Sequence, residues 1–188
     1  MQLILASASP RRKALLPLFG IPFTVRAADI DETMDPEKPP FDEVARVSRS
    51  KALAVSRGEE DIVIAADTIV VCQGKVLGKP HSEAEAASML RLLSGRDHQV
   101  MTGCTILYGD RIETFTEVTS LHFRPLSEKE IQKYVQSGEP MDKAGSYGIQ
   151  EWIGYAAIEC IEGSFYNVMG LPVEQLGLVL ARFGVKLL

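Results

Sequence analysis

The feature that most constrains the fold is a long apolar stretch with an aspartate near its middle. Residues 62–71 are apolar and largely β-branched except at Asp67 and Thr68, which predicts one long buried strand. A carboxylate in such a strand loses its hydration, which costs free energy unless it is paired, bound to a metal or facing a cleft. We interpret Asp67 as a functional residue on a strand that lines an active site. The alternative is an aspartate at a strand bend, satisfied by backbone donors.

Length and composition narrow the class of protein. The chain has 188 residues, of which 46% are hydrophobic and 24% charged, as in ordinary soluble globular proteins. We predict a single domain over residues 1–188, and its net charge of −5 argues against a general nucleic-acid binder. No stretch is apolar enough to span a bilayer, and no signal peptide is visible. The cysteines Cys72, Cys104 and Cys160 lie in apolar stretches and are predicted to be buried, reduced thiols, which indicates the cytoplasm.

Strand and helix patterns alternate along the chain, with hairpins in the middle. This arrangement predicts an α/β or mixed α+β fold, in which helices pack on a partly antiparallel sheet. Two capping-box patterns, beginning at Ser82 and Ser127, mark helix starts. The remaining predicted elements are strands at 3–6, 23–25, 61–72, 75–77, 100–107, 113–123 and 155–161, helices at 11–19, 41–57 and 172–183, and a loop at 139–150.

A turn rich in serine and arginine follows the first predicted strand. It reads SASPRR over residues 7–12, with Ser9 at the N-cap and Pro10 at the first helical position. Two cations at a helix N-terminus cost the helix about 0.3–1 kcal/mol each, and a bound anion would reverse that cost. Because arginine binds phosphate in a bidentate manner, the motif indicates a phosphate site. The alternative is a solvated basic turn beside an ordinary serine cap.

Other polar residues are suited to a ligand but are less specific. A Gly-Lys-Pro turn carries Lys79, although a solvated turn lysine has the same pattern. The loop at 138–150 contains three glycines and ends at Gln150, whose amide is able to read a base edge. The alternative for this loop is a flexible connector. Lys51 on a predicted helix and Glu32 in an acidic loop are uninformative on their own.

Taken in order, these segments resemble the Maf family of nucleoside triphosphate pyrophosphatases. The resemblance covers nearly the whole chain and rests on SASPRR at 7–12, ADT at 66–68, GKP at 78–80, GEPMDKAG at 138–145 and GLP at 170–172. It implies a two-lobed α/β fold of the inosine triphosphatase-like type, with an elongated mixed sheet flanked by helices and a cleft between the lobes. It also implies a homodimer.

The resemblance further implies a reaction and a set of site residues. The reaction is hydrolysis between the α- and β-phosphates of an unusual or pyrimidine nucleotide, assisted by a divalent cation, Mg²⁺ or Mn²⁺. By position, Asp67 matches the family's proposed general base, and Glu32 matches an acidic residue at the site. We expect both carboxylates to bind the metal, and whether Asp67 is base, metal ligand or both stays open. The positions that match the family's phosphate-binding residues are Ser7, Arg11, Arg12, Lys51 and Lys79.

Three positions indicate the branch of the family. Arg12, Thr68 and Gln150 fit the pattern of the dTTP/UTP branch, whereas the 7-methyl-GTP branch typically has Trp before an Arg in the first motif and Gln after the Asp. The expected substrates are therefore dTTP and UTP, with modified pyrimidine triphosphates as further candidates.

Two other classes of function are compatible with parts of this pattern. The first is a nucleotide-binding regulator of septum formation that does not hydrolyse its ligand, although pure binding has no need of Asp67. The second is a nucleic-acid-binding module that uses Arg11 and Arg12. The acidic net charge and the lack of a stripe of alternating aromatic and basic residues argue against it.

Overall fold

The computed structural model describes residues 2–55 and 57–185. The strands are β1 (Leu3–Leu5), β2 (Phe23–Val25), β3 (Ile62–Cys72), β4 (Lys75–Leu77), β5 (Asp97–Tyr108), β6 (Arg111–Phe123) and β7 (Ile158–Glu162). The helices are α1 (Pro10–Leu15), α2 (Pro40–Ala54), α3 (Glu83–Leu93), α4 (Glu128–Gln136), α5 (Trp152–Ala157), α6 (Phe165–Val168) and α7 (Val173–Arg182). Short 3₁₀ helices cover Leu16–Phe19, Glu139–Asp142 and Ala144–Ser146.

The strands form one open mixed sheet. Their hydrogen-bonded order is β2-β1-β3-β5-β6-β7, and β4 pairs with β3. β1 is parallel to both β2 and β3, whereas the β3/β4 and β6/β7 pairs are antiparallel. The prediction of a partly antiparallel mixed sheet with helices is therefore confirmed. Every residue of β1 and nearly every residue of β3 is buried, as expected for parallel strands covered on both faces.

The described chain divides into two compact units, which we treat separately. The first contains the residues up to 67, residues 102–117 and those from 170 on, and the second contains residues 68–101 and 118–169. The strands β3, β5 and β6 each contribute residues to both units. The prediction of a single domain and of a cleft stays a prediction.

In the first unit, α2 lies in close backbone contact with β5. A Cβ atom built on Gly103 of β5 would lie 2.4 Å from the carbonyl oxygen of Val44 in α2, so only glycine allows this approach. Beside it, the buried Ser48 hydroxyl contacts the Thr105 hydroxyl at 2.7 Å, and Thr105 contacts Thr114 of β6 at 3.0 Å. These hydroxyls satisfy one another, which holds α2 at a fixed position on the sheet.

In the second unit, the two predicted helix starts are present. The Ser127 hydroxyl accepts a hydrogen bond from the Glu130 amide, and the Glu130 carboxylate accepts one from the Ser127 amide, which completes a capping box. The Ser82 hydroxyl likewise accepts from the Glu85 amide, but the Glu85 carboxylate accepts from the amide of His81, one residue before the N-cap. The capping box predicted at Ser82 therefore forms only in part, because the Glu85 carboxylate binds the residue before the N-cap instead of the N-cap itself.

Three local predictions were wrong. Residues 155–161 were predicted as a strand, but α5 extends to Ala157 and β7 begins only at Ile158. The buried residues of α5 (Ile153, Gly154 and Ala157) recur with helical spacing, which outweighs the β-propensity of the segment. The loop at 139–150 contains two 3₁₀ helices. All three cysteines are free thiols and were predicted to be buried, but Cys160 is exposed on β7.

Two further sequence predictions differ in detail. Helix α2 ends at Ala54 rather than at residue 57, and residue 56 lies outside the described residues. In the turn before α1, the Ser9 amide donates to the Ser7 hydroxyl at 3.2 Å, and within the described chain the Ser9 side chain makes no capping hydrogen bond. No described helix is both long and apolar enough to cross a bilayer.

The contact at Gly103 predicts a stability defect. In Gly103→Ala the added methyl group meets the backbone of α2 at Val44, so we expect the free energy of unfolding to fall by about 1–3 kcal/mol in urea denaturation. Gly78→Ala is the control, because a Cβ built there has no atom within 4 Å. Equal stability of the two variants would contradict the close contact between α2 and β5.

Candidate active site

The sequence-predicted residues of the first unit lie around the carboxyl end of β1 and the middle of β3. In the parallel register Leu5, the last residue of β1, pairs with Ile64 of β3, so Ser7 and Asp67 both lie beyond the carboxyl end of β1. The chain passes from β1 to β2 on one side and then to β3 on the other. Such a switch point, at the carboxyl ends of parallel strands, is where open α/β sheets bind ligands.

A buried ion pair lies at this position. The Nζ atom of Lys51, on α2, is 2.7 Å from Oδ1 of Asp67 and 2.9 Å from Oε1 of Glu32. Lys51 is only 6% exposed and Asp67 8%, whereas the Glu32 side chain is about half exposed. The ammonium group compensates the carboxylate that the sequence places in an apolar strand, and the structure therefore brings together three predicted site residues.

A second predicted pair, Ser7 and Arg12, is joined by a hydrogen bond. Arg12 Nη1 donates to the Ser7 hydroxyl at 3.1 Å, and Nε donates to the Gly170 carbonyl at 2.7 Å. The pKa of Arg12 is lowered from its ordinary value, chiefly because the side chain is buried. The nearby carboxylate of Asp67 raises the pKa in part, and the neighbouring charge of Arg11 lowers it. The guanidinium remains protonated at neutral pH, so this group is a buried, fixed positive charge.

The hydrogen bonds of Ser7 determine what its hydroxyl can do. The oxygen accepts from the Ser9 amide and from Arg12, which uses both lone pairs. The hydroxyl hydrogen is then the part of the group that is suited to a further contact, and a phosphate oxygen accepts such a bond. This geometry agrees with the phosphate-binding role predicted for Ser7, which stays a prediction.

Two residues of α2 that sequence reasoning missed fix the loop around Glu32. The buried Glu43 carboxylate accepts from the Asp35 amide at 2.8 Å and from Arg46, which also donates to the Thr33 carbonyl at 2.8 Å. Hydrogen bonds from Arg46 lower the pKa of Glu43 to about 2. The available signal was the spacing of Glu43 and Arg46, three residues apart on one helix face.

Of the remaining predicted residues, Arg11 lies beside Arg12 in α1 of the first unit, and the other three belong to the second unit. Thr68 directly follows Asp67 in β3 and is half-buried, whereas Lys79 and Gln150 are exposed. Lys79 follows Gly78, whose carbonyl accepts from the Gly145 amide at 3.0 Å. The Gly-Lys-Pro turn and the loop that ends at Gln150 are therefore hydrogen-bonded to each other.

The side chains fit one mode of binding a divalent cation. The described residues contain no group of three or more His, Cys, Asp or Glu side chains with metal-binding geometry. Asp67 and Glu32 nevertheless converge on the same Lys51 Nζ atom, so their carboxylates lie close together. Mg²⁺ is commonly held by one or two carboxylates and the phosphates of its substrate, and this pair meets that requirement.

Comparison with known proteins identifies the family of this chain. Its sequence matches the family described as Maf-like protein over residues 2–183. The chain belongs to the Maf family. Among its relatives, a Halalkalibacterium halodurans protein named dTTP/UTP pyrophosphatase is 50% identical over 174 residues, which cover 92% of this chain and 91% of the relative. A Bacillus cereus protein of the same name is 46% identical over 185 residues, covering 98% and 96%.

Solved structures extend the likeness of this Maf chain beyond its family. A Ham1 protein from Coxiella burnetii matches with a TM-score of 0.52 at 17% identity, covering 97% of this chain and 99% of its own. The Staphylococcus aureus Ham1 protein matches with a TM-score of 0.51 at 16% identity and the same coverage. At this identity the likeness shows a shared fold, in agreement with the inosine triphosphatase-like architecture expected from the sequence.

The buried ion pair of this Maf chain predicts a stability effect. Lys51→Met removes the ammonium group that contacts the buried Asp67 carboxylate, and we expect the free energy of unfolding to fall by about 3 kcal/mol at neutral pH. Lys38→Met is the matched control, because Lys38 pairs with Asp35 on the surface and exposed pairs contribute about 0–1 kcal/mol. Chemical denaturation of both variants makes the comparison, and equal losses would show that Lys51 does not compensate a buried charge.

Proposed function

We propose that this chain is a nucleoside triphosphate pyrophosphatase that hydrolyses dTTP and UTP to the monophosphate and pyrophosphate. The observation that carries the proposal is Lys51 held between Asp67 and Glu32, in the same unit as the buried Arg12. This set supplies carboxylates to activate water and cations to neutralise phosphate, which are the two requirements of phosphoanhydride hydrolysis. The names of relatives at 46–50% identity support the same reaction and the same substrates.

In this proposal each side chain of the first unit has a defined role. Asp67 orients or deprotonates the attacking water, and its ion pair with Lys51 fixes the direction of its carboxylate. Arg11 and Arg12 stabilise the negative charge of the phosphates. The water attacks the α-phosphorus, the bond to the bridging oxygen breaks, and pyrophosphate leaves. The nucleophile is water rather than the nearby thiol, because burial raises the pKa of Cys104 to about 12.

We also propose a divalent cation, Mg²⁺ or Mn²⁺, at the carboxylates of Asp67 and Glu32. When bound, such a cation withdraws charge from phosphate oxygens and so stabilises the transition state. The exposed Glu32 side chain is able to turn away from Lys51, whereas Asp67 is held in place by its strand. The chain itself therefore offers one fixed carboxylate and one adjustable carboxylate.

Base selection is proposed to depend on Arg12, Thr68 and Gln150, with Lys79 as a further phosphate contact. Lys79 and Gln150 are exposed, which suits a direct contact with a ligand. The buried Arg12 is fixed by Ser7 and Gly170, which supports a role in orienting the substrate.

We further propose a cytoplasmic protein, because its proposed substrates are cytoplasmic metabolites. A homodimer stays a prediction from the family resemblance.

A regulator that only binds nucleotides is less favoured. Binding alone gives no reason for burying an aspartate beside a lysine in an apolar strand, because that pair costs desolvation energy. The names of the relatives also describe hydrolysis. For a nucleic-acid-binding module, neither the site geometry nor the relatives give support.

The direct test is pyrophosphate release from a panel of triphosphates in the presence of Mg²⁺. The panel contains dTTP, UTP, CTP, dITP, ATP and 7-methyl-GTP. We expect dTTP and UTP to give the highest kcat/KM. Turnover led by another base would overturn the proposed specificity, and nucleotide binding without product would favour the regulator.

One substitution tests the role of Asp67. Asp67→Asn removes the charge but keeps the shape, and Lys51 retains Glu32 as a partner. We therefore expect a folded protein whose kcat for dTTP is reduced at least about 10³-fold. Asp35→Asn is the control, because it removes a surface carboxylate in the same unit and should leave kcat unchanged. Near-normal turnover in Asp67→Asn would remove Asp67 from the mechanism.

A further inference from the structure

The second unit contains a buried lysine that the proposed chemistry does not use. Lys143 is 6% exposed, and its Nζ atom contacts the Glu139 carbonyl at 2.5 Å, Asp142 Oδ1 at 2.6 Å and Glu151 Oε1 at 2.7 Å. An ammonium group has three hydrogens, so these oxygens account for all of its donors. Because burying an ammonium is costly, a lysine at this position is expected to perform a task that an apolar residue cannot.

Lys143 belongs to a network that holds both ends of the turn that carries Gln150. Gln150 lies in a turn closed by a hydrogen bond from the Glu151 amide to the Gly148 carbonyl, at 3.1 Å. The Glu151 carboxylate, held by Lys143, also accepts from the Tyr134 hydroxyl at 2.5 Å, and that hydroxyl accepts from the Gly148 amide at 3.3 Å. The backbone on both sides of the exposed Gln150 is thus tied to one charged network.

The same segment contacts the neighbours of the other two predicted site residues of this unit. The Gly145 amide donates to the carbonyl of Gly78, which precedes Lys79. Gly145 has a φ of +67°, and a Cβ there would lie 2.7 Å from the Val70 side chain, two residues after Thr68. Residues 143–151, which include Gln150, therefore contact the chain within two residues of both Lys79 and Thr68.

Two details indicate that the conformation of the segment is enforced rather than relaxed. Gly145 is followed by Ser146, a residue other than glycine that also has a positive φ, of 63°, and is fully buried. A side chain at Gly148 would collide with both Glu151 and Lys143, at 2.8 and 2.9 Å. Strained backbone of this kind persists only where surrounding contacts determine it, and it is concentrated at ligand sites.

We propose that Lys143 is a positioning residue for base selection, which acts through Glu151 on the conformation of Gln150. The inference rests on the proposed function, because it assumes that Gln150 reads the pyrimidine. Lys143 does not touch the nucleotide in this account. Its ammonium group sets the turn, so that the Gln150 amide meets the base edge without having to be ordered at each binding event.

The test measures binding, so that it does not depend on hydrolysis. The probes are the α,β-methylene analogues of dTTP and dCTP, and the quantity is the ratio of their Kd values with Mg²⁺ present. We expect Lys143→Met to reduce the preference for the dTTP analogue about 10-fold. Lys133→Met is the matched control, because Lys133 is an exposed lysine on α4, and it should keep the wild-type ratio.

A double variant distinguishes positioning from general destabilisation. If Lys143 acts through Gln150, Lys143→Met should not reduce the ratio further in a Gln150→Ala background. Hydrogen exchange at residues 148–151 should be faster in Lys143→Met than in Lys133→Met. Should Lys143→Met fail to fold, Glu151→Gln, which has the same shape but no charge, replaces it with the same expectations.

An unchanged Kd ratio in a folded Lys143→Met or Glu151→Gln protein would overturn the inference. So would an equal loss of discrimination in the Gln150→Ala background, or a wild-type protein that binds the two analogues equally. Failure of the proposed function has a different signature. In that case no pyrophosphate is released from dTTP, while the Kd ratio still responds to Lys143→Met.

Discussion

The first unit depends on one electrostatic constraint, the compensation of Asp67 by Lys51. An aspartate in a largely buried strand loses its hydration, and a cation from a neighbouring element offsets that loss. Helix α2 supplies it, and its position is fixed by the glycine contact at Gly103 and by the hydroxyl of Ser48. The same helix fixes the Glu32 loop through Arg46. Helix α2 thus supplies the cation that pairs with Asp67, packs directly on β5 and holds the loop that carries Glu32.

A second buried lysine has a comparable role in the other unit, with a different consequence. Lys51 is bound to carboxylates that we assign to the chemistry, whereas Lys143 is bound to groups that shape a loop. In both cases the desolvation of an ammonium group is offset by close oxygen partners. The two lysines differ in their carboxylate partners. Lys51 binds Asp67, the predicted general base, whereas Lys143 binds Glu151, which is next to Gln150, the residue predicted to contact the nucleobase. Asp67, proposed for catalysis, and Gln150, proposed for base recognition, are therefore held by separate networks.

Much of the fold could be predicted from the sequence, because its signals are local. The apolar run around Asp67, the serine before α4 and the glycine turns determine elements without reference to distant residues. The strand predicted at 155–161 was wrong because the buried residues of α5 recur with helical spacing, and this outweighs the β-propensity of the segment. The site residues were suggested by motif order, but Gly103 and the Glu43–Arg46 pair gain meaning only from tertiary contacts. The spacing of Glu43 and Arg46 is local, but the Thr33 carbonyl that Arg46 binds and the Val44 backbone that Gly103 meets lie outside any local periodicity.

The central claim is that a water molecule held at Asp67 attacks the α-phosphorus of the triphosphate. Hydrolysis of dTTP by the wild-type protein in ¹⁸O-labelled water tests it most directly. The products are separated, and the ¹⁸O content of each is measured by mass spectrometry. The account predicts that one ¹⁸O atom appears in dTMP and none in pyrophosphate, because the bond from the α-phosphorus to the bridging oxygen is the one that breaks. Label in the pyrophosphate would mean attack at the β-phosphorus, and it would contradict the account.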